Sequence, residues 1–407
     1  MLNLFINNQN IMKHTQLILA AALVALAGCS KENIDLNGQN SLDNEIGFTA
    51  VTRKATKANN AIITGTTYTT DNTFKVWGWQ SQEGDFSEFD SNTASNFMSN
   101  LTIEWTKGAN KNVEGDTHAL AWRNDDHYYY WPFTGALGFL AIHPSDLAAA
   151  TYTALTPAWD KDHDKAMATI TGYTISEANN NKTVDLMFAS KEGTRESIAK
   201  VGDGKVAMVF KHALSQIVVK AKTDDDYTAD VQFDLNSVQF NNIDLSGDVS
   251  YANEGISWSS NTTYNSNWVY YNTVKQNILK SYDTADEFIY GSAILMIPQP
   301  GYKHVDQVGE SGDPDYVAPV EGTTLTIGYS MQQKPLDSNP KITGTVTIPA
   351  PWAKVKEGET TYNEPQAISG WEAGKKYVYT LNFKLNEILF NPSVIDWIEV
   401  ELTTIDI

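Results

Sequence analysis

The stretch Val206-Ala207-Met208-Val209-Phe210-Lys211-His212-Ala213-Leu214-Ser215-Gln216-Ile217-Val218-Val219-Lys220-Ala221 reads as two β-strands around a short turn. Its first half alternates, placing Val206, Met208 and Phe210 on one face, the period-two signature of a strand. Residues 217–221 form a more continuous apolar run, as a strand covered on both faces does. His212, between the two, reads as a structural turn residue. The same patterns recur outward along the chain. Phe74-Lys75-Val76-Trp77-Gly78-Trp79 alternates, and so do residues 377–383. Val238-Gln239-Phe240 and Ile243-Asp244-Leu245 flank Asn241-Asn242, and Ser246-Gly247-Asp248 turns into Val249-Ser250-Tyr251. Residues 293–297 form an apolar run stopped by Pro298, and residues 325–329 and 342–348 are further strand candidates. Helical periodicity is scarce, and the chain holds 19 Tyr, 15 Phe and 11 Trp, a strand-favouring bias. Short strands with turn signals every ~8–12 residues indicate an all-β chain built of β-sandwiches.

At 407 residues the chain is long enough for two domains. The polar run Thr223-Asp224-Asp225-Asp226-Tyr227 marks the boundary, giving an N-terminal β-sandwich over 54–224 and a C-terminal one over 225–407. Ahead of them, Met12-Lys13-His14 supplies a basic start and residues 17–27 an apolar run, too short for a membrane span of ~20 residues. The run ends in Leu26-Ala27-Gly28-Cys29, which resembles the bacterial lipobox and makes residues 1–28 a lipoprotein-type signal peptide. Cys29, the chain's one cysteine, is the expected lipidation site, acylated with palmitate and anchored in the outer membrane. Residues 29–53 then comprise a polar tether and a short strand. A single cysteine excludes an intramolecular disulfide and a multi-cysteine metal site. The formal charge of −20 argues against nucleic acid as a partner, because phosphate binding needs clustered Lys and Arg.

Nothing in the sequence selects a catalytic constellation, a metal site or a cofactor. None of the seven histidines has the spacing of HExxH, and there is no GxSxG elbow, P-loop or dinucleotide fingerprint. Asp160, Asp162 and Asp164 have the spacing of a calcium loop, but Lys165 stands where Gly is needed and Thr171 where a bidentate Glu is needed, so a solvated loop is expected. Gly202-Asp203-Gly204 reads as a hairpin turn. Tyr128-Tyr129-Tyr130-Trp131-Pro132-Phe133 could stack on sugars, although a buried or inter-sheet strand explains it more simply. The chain is read as a non-enzyme.

Several segments carry a resemblance. Tyr129-Tyr130-Trp131-Pro132 is followed by Leu137-Gly138-Phe139-Leu140-Ala141-Ile142-His143-Pro144, then by Asp185-Leu186-Met187-Phe188-Ala189 and Phe210-Lys211-His212-Ala213-Leu214-Ser215-Gln216-Ile217. The second half adds Leu295-Met296-Ile297-Pro298-Gln299, Trp371-Glu372-Ala373-Gly374-Lys375-Lys376-Tyr377 and the closing 388–397 segment. In this order, behind a lipobox, they resemble the fimbrillin family of Bacteroides-type surface lipoproteins, subunits of type V pili, from about residue 45 to the end. The resemblance implies two tandem transthyretin-like β-sandwiches with Greek-key-type strands. It also implies assembly by cleavage of an N-terminal strand and donor-strand exchange between subunits, with adhesion and biofilm formation as roles.

The residues support each part separately. Ile46-Gly47-Phe48-Thr49-Ala50-Val51 is strand-like, with Ile46, Phe48 and Ala50 on one face. The basic stretch Thr52-Arg53-Lys54-Ala55-Thr56-Lys57 follows; it is either an ordinary charged loop or a site where a trypsin-like or arginine-specific protease cuts after Arg53 or Lys54. Ile398, Val400 and Leu402 alternate with Glu399 and Glu401, and residues 388–407 are either a donor strand for another subunit or the last strand of their own domain. The expected partners are other fimbrial subunits, membrane lipid through Cys29, and the protease; the receptor and the stalk, tip or anchor role are left open. The competing reading is a monomeric surface glycan-binding lipoprotein.

Overall fold

A computed structural model describes residues 45–52, 72–81, 86, 88–89, 94–106, 121–124, 127–175, 184–199, 205–223, 230–260, 266–270, 294–300, 324–349, 352–353, 366–367, 370–383 and 388–396. The first half contributes β1 (Phe48–Thr52), β2 (Phe74–Ser81), β3 (Met98–Thr106), β4 (Ala121–Arg123) and β5 (Ala136–His143). It continues with β6 (Ala154–Asp160), β7 (Lys165–Thr174), β8 (Met187–Gly193), a short helix Arg195–Ala199, β9 (Val206–His212) and β10 (Ser215–Thr223). Then follow β11 (Val231–Ile243), β12 (Ser246–Ala252), β13 (Gly255–Ser260), β14 (Ser266–Tyr270), β15 (Ile294–Met296) and β16 (Gln299–Pro300). The last are β17 (Thr324–Gln333), β18 (Lys341–Pro349), β19 (Trp352–Ala353), β20 (Gln366–Ala367), β21 (Gly370–Trp371), β22 (Lys375–Phe383) and β23 (Ile388–Asp396). The fold is all-β.

Seven strands, in the order β1-β4-β3-β2-β5-β8-β9, close into a barrel, β9 meeting β1. A four-stranded sheet β13-β12-β7-β6 packs on its outside. Two further four-stranded sheets, β15-β10-β22-β23 and β14-β11-β17-β18, face each other across a separate core. The alternation of β5 explains why one strand serves two cores. Leu137, Phe139 and Ala141 fill the barrel interior, while Leu140 and Ile142 point outward against the covering sheet, and all eight residues are buried. β2 does the same, sending Phe74 and Val76 inward and Trp77 and Trp79 outward. Trp159 of β6 is the centrepiece of the outer layer, with Phe86 stacked on it at 4.3 Å and Trp79 at 5.6 Å. The ring fits only because β5 has a glycine beneath it: a Cβ on Gly138 would overlap the Trp159 ring.

The strand pairing crosses residue 224 in both directions. β10 lies before it yet pairs in parallel with β22, from Gln216↔Lys376 to Thr223↔Phe383. β12 lies after it yet pairs with β7, as in Val249↔Ile170 and Tyr251↔Ala168. The chain leaves the barrel at Ala213-Leu214, where Ala213 N donates to Leu186 O at 2.8 Å and Gly374 N to Leu214 O at 2.9 Å. Two local expectations are corrected. Asn241-Asn242 does not divide two strands; β11 runs through it, with Asn242 at φ 56 where the register to β14 shifts. Ser246-Gly247-Asp248 is the start of β12 and not a turn, because Gly247 pairs with Tyr173 and Ser260.

In the second core the polar members of the closing segments are engaged. Gln299 stands in for a strand backbone, accepting from Asp244 N at 2.7 Å and donating to Asp244 O at 3.0 Å. Trp371 Nε1 donates to Tyr379 Oη at 2.8 Å, both side chains being buried. These buried partners remove the desolvation penalty that unpaired polar atoms would carry. Gly138→Val should destabilise the protein by roughly 2–3 kcal/mol through overpacking against Trp159. A urea midpoint shifted down with unchanged slope would show it; an unchanged midpoint would contradict the close approach.

Candidate functional site

The site is the seat of β1, where a five-residue strand completes the barrel. Its two sides are unequal. Along β9 it forms a parallel ladder from Phe48↔Val206 to Thr52↔Phe210, whereas along β4 it has, among the described residues, the single pair Phe48↔Trp122. The segment before it is clamped on both sides. Ile46 N donates to Tyr129 O at 2.7 Å, Val206 N donates to Gly47 O at 2.8 Å, and Glu45 bridges Tyr130.

The strand's inward face is what the barrel interior is built around. Ile46, Phe48 and Ala50 are each 3% exposed or less. The Phe48 ring meets Phe74 edge-on at 6.1 Å and Phe139 at 5.6 Å, and Phe74 in turn meets Phe210 at 5.3 Å. Burying Ile46 and Phe48 contributes about 1.5–3 kcal/mol each. Edge-on aromatic pairs add about 0.5–1.5 kcal/mol apiece. Removing the strand would therefore open an apolar slot and expose the facing edges of β4 and β9, a template for another strand.

Of the residues singled out in the sequence, Ile46, Phe48 and Ala50 come together here. Cys29, Arg53, Lys54, Ile398, Val400 and Leu402 lie outside the described residues, as do Gly202-Asp203-Gly204 and residues 224–226. The aromatic run is not a strand. Trp131 enters the barrel core, Tyr129 packs on Phe97 at 5.8 Å, and Phe133 stands 91% exposed. Asp160 ends β6, and Asp162 and Asp164 belong to the turn joining it to β7. There Asp160 accepts from Asp162 N at 3.0 Å and from His163 Nδ1 at 2.8 Å.

Local pattern gave no sign of two buried polar groupings. Arg123 ends β4 at 5% exposure, with its Nη1 3.1 Å from Glu45 Oε1. At the far end of the barrel, His212 is not a turn residue; it closes β9, and its Nδ1 donates to the fully buried carboxylate of Asp185 at 2.9 Å. His143, at the end of β5, lies one strand away across Met187, and its Nδ1 donates to Thr73 O at 2.9 Å. Burial pushes the His143 imidazole down to about 4, against the opposing pull of the Asp185 charge. Burial, then the Asp185 charge, also pushes the Tyr173 phenol up.

The His143 shift has a definite sign for stability. The native state holds the ring neutral, so the unfolded chain takes up a proton first as pH falls. Stability is at its full value above about pH 6.5 and is lost down to about pH 4, by roughly 3 kcal/mol in all. Thermal unfolding across pH 7.5 to 4.5 should show this loss, and His143→Phe should flatten it; an equal pH slope in both proteins would contradict the assignment.

An all-β chain with a short first strand seated in a barrel groove is the class that the fold and site define. The chain belongs to the fimbrillin-like family, whose match covers residues 52–397. Among solved structures, a fimbrial protein from Bacteroides vulgatus is 16% identical, covers 87% of this chain and 99% of its own, and has a TM-score of 0.55, which places both on one fold. A candidate cell adhesion protein from Bacteroides uniformis is 14% identical over 88% of this chain and all of its own, with a TM-score of 0.41. The tip fimbrial protein Mfa3 from Porphyromonas gingivalis, truncated at its C-terminus, is 10% identical over 80% of this chain and all of its own, with a TM-score of 0.29. Among curated proteins, none matches the chain significantly.

Proposed function

We propose that this chain is a structural subunit of a cell-surface fimbria of the type V pilus kind, serving adhesion and biofilm formation. It is exported as a lipoprotein, acylated at Cys29 and carried to the outer membrane. A trypsin-like or arginine-specific protease cuts after Arg53 or Lys54, just past the end of β1. The strand bearing Ile46, Phe48 and Ala50 then leaves, and the C-terminal strand of another subunit, bearing Ile398, Val400 and Leu402, takes the vacated seat.

The observation that carries this reading is the seat itself. β1 is short, is directly followed by a basic cleavable stretch, and yet supplies the central aromatic of the barrel core. A strand that mattered only for stability would have no need of a cut site at its exit. Membership of the fimbrillin-like family points the same way.

A monomeric glycan-binding lipoprotein is the second reading, favoured by one observation: Phe133 at 91% exposure and Tyr130 at 38% are aromatic rings open to a sugar face. Limited trypsin on the recombinant mature protein separates the two. The fimbrial reading predicts a new N-terminus at Lys54 or Ala55 and SDS-resistant ladders, both abolished by replacing Arg53 and Lys54 with Gln. A cut protein that stays monomeric, and that binds glycans through Phe133, would place the second reading first.

A further inference from the structure

We infer that Arg123 is a charge key of the β1 seat: it selects an occupying strand that carries a carboxylate immediately before its first inward-facing apolar residue. This rests on the strand-exchange reading above and adds a recognition rule to it. Apolar slots discriminate poorly between alternating strands, because one branched side chain fits nearly as well as another. Something polar must set register and reject wrong strands, and Arg123 is the buried charge at the right place.

The guanidinium is held, not wandering. Its side chain is 6% exposed, its Nη1 lies 3.1 Å from Glu45 Oε1, and its centre lies 5.9 Å from the centroid of the Tyr128 ring. Glu45 is itself only 10% exposed at the side chain. The planar guanidinium presents a rigid fork of donors that matches a carboxylate. Glu45 and Arg123 lie 78 residues apart, on opposite sides of the proposed cut. Cleavage after Arg53 and departure of β1 therefore takes Glu45 away from Arg123, while the key stays behind in β4. Removing one member of a buried ion pair is strongly unfavourable, so a replacement strand that restores the carboxylate binds better than one that does not. Among the described residues, Glu104 lies opposite Arg123 in the β3–β4 ladder and is half-buried, but it belongs to the barrel and says nothing to an incoming strand.

The C-terminal segment offers a tooth of the same order. Glu45-Ile46-Gly47-Phe48 has an acid, an apolar residue, a spacer and an apolar residue; Glu399-Val400-Glu401-Leu402 repeats that order. In a register that keeps the direction of β1, parallel to β9, Glu399 takes the place of Glu45, Val400 that of Ile46, and Leu402 that of Phe48.

The test uses the full mature chain with residues 53–57 replaced by a site-specific protease sequence. After cutting, the protein is challenged with excess fluorescent peptides and bound peptide is measured at equilibrium. The peptides are residues 43–52, their E45Q and F48A variants, residues 397–407, and their E399Q variant. Both carboxamide peptides should bind at least about tenfold more weakly than their parents, and each difference should vanish in R123Q protein. The peptide comparison in the unaltered seat decides by itself, so the result does not depend on R123Q folding. Equal binding of the E45Q and parent peptides overturns the key, and equal binding of the E399Q pair overturns its extension to the C-terminal strand. If F48A weakens binding while E45Q does not, strand exchange stands and the key alone fails. If no peptide enters the cut protein, strand exchange fails and the key falls with it.

Discussion

Closure of the barrel by β1 is the constraint on which the rest of the N-terminal architecture depends. Seven strands can form a ring only if the last meets the first, and here that meeting is a ladder between Phe48–Thr52 and β9. Phe48 sits where the strands converge, so the interior phenylalanines of β2, β5 and β9 are arranged around a ring supplied by a strand of only five residues. The outer faces of β2, β5 and β8 carry Trp77, Trp79, Leu140, Ile142 and Phe188, which hold the covering sheet. β2, β5 and β8 thus serve both the barrel interior and the covering layer.

The covering sheet ties the two halves of the chain together. Its β12–β13 hairpin comes from the second half, yet its turn residue Glu254, at φ 58, reaches Lys165 of β7 and Lys211 of β9, joining the sheet to the barrel. The second core begins where β10 departs at Ala213-Leu214, a point secured by Trp258 Nε1 donating to Ala213 O at 2.7 Å and by Ser215 Oγ donating to Glu372 O at 2.8 Å. Two residues, Ala213 and Leu214, carry the chain from β9 into β10 and so from the barrel into the sandwich.

Much of this was readable in the residues. β2 and β9 announced themselves by their alternation, and the alternation of Ile46, Phe48 and Ala50 marked the inward face of β1. What escaped was everything that depends on which strand meets which. The pairing of β12 with β7 joins residues about eighty apart through a register shift, and no local window contains it. The Glu45–Arg123 pair left no trace because a single acid and a single arginine carry no periodicity. His212 looked like a turn residue because Ala213-Leu214 breaks the alternation; the break marks the exit of the chain from the barrel, and the imidazole is buried on Asp185.

Electron cryomicroscopy of the polymer formed by the cut chain tests strand exchange at the β1 seat most directly. The predicted result is density between β4 and β9 that is continuous with the chain of a neighbouring subunit. Density there that belongs to residues 46–52 of the same subunit, with the subunits joined elsewhere, would contradict it.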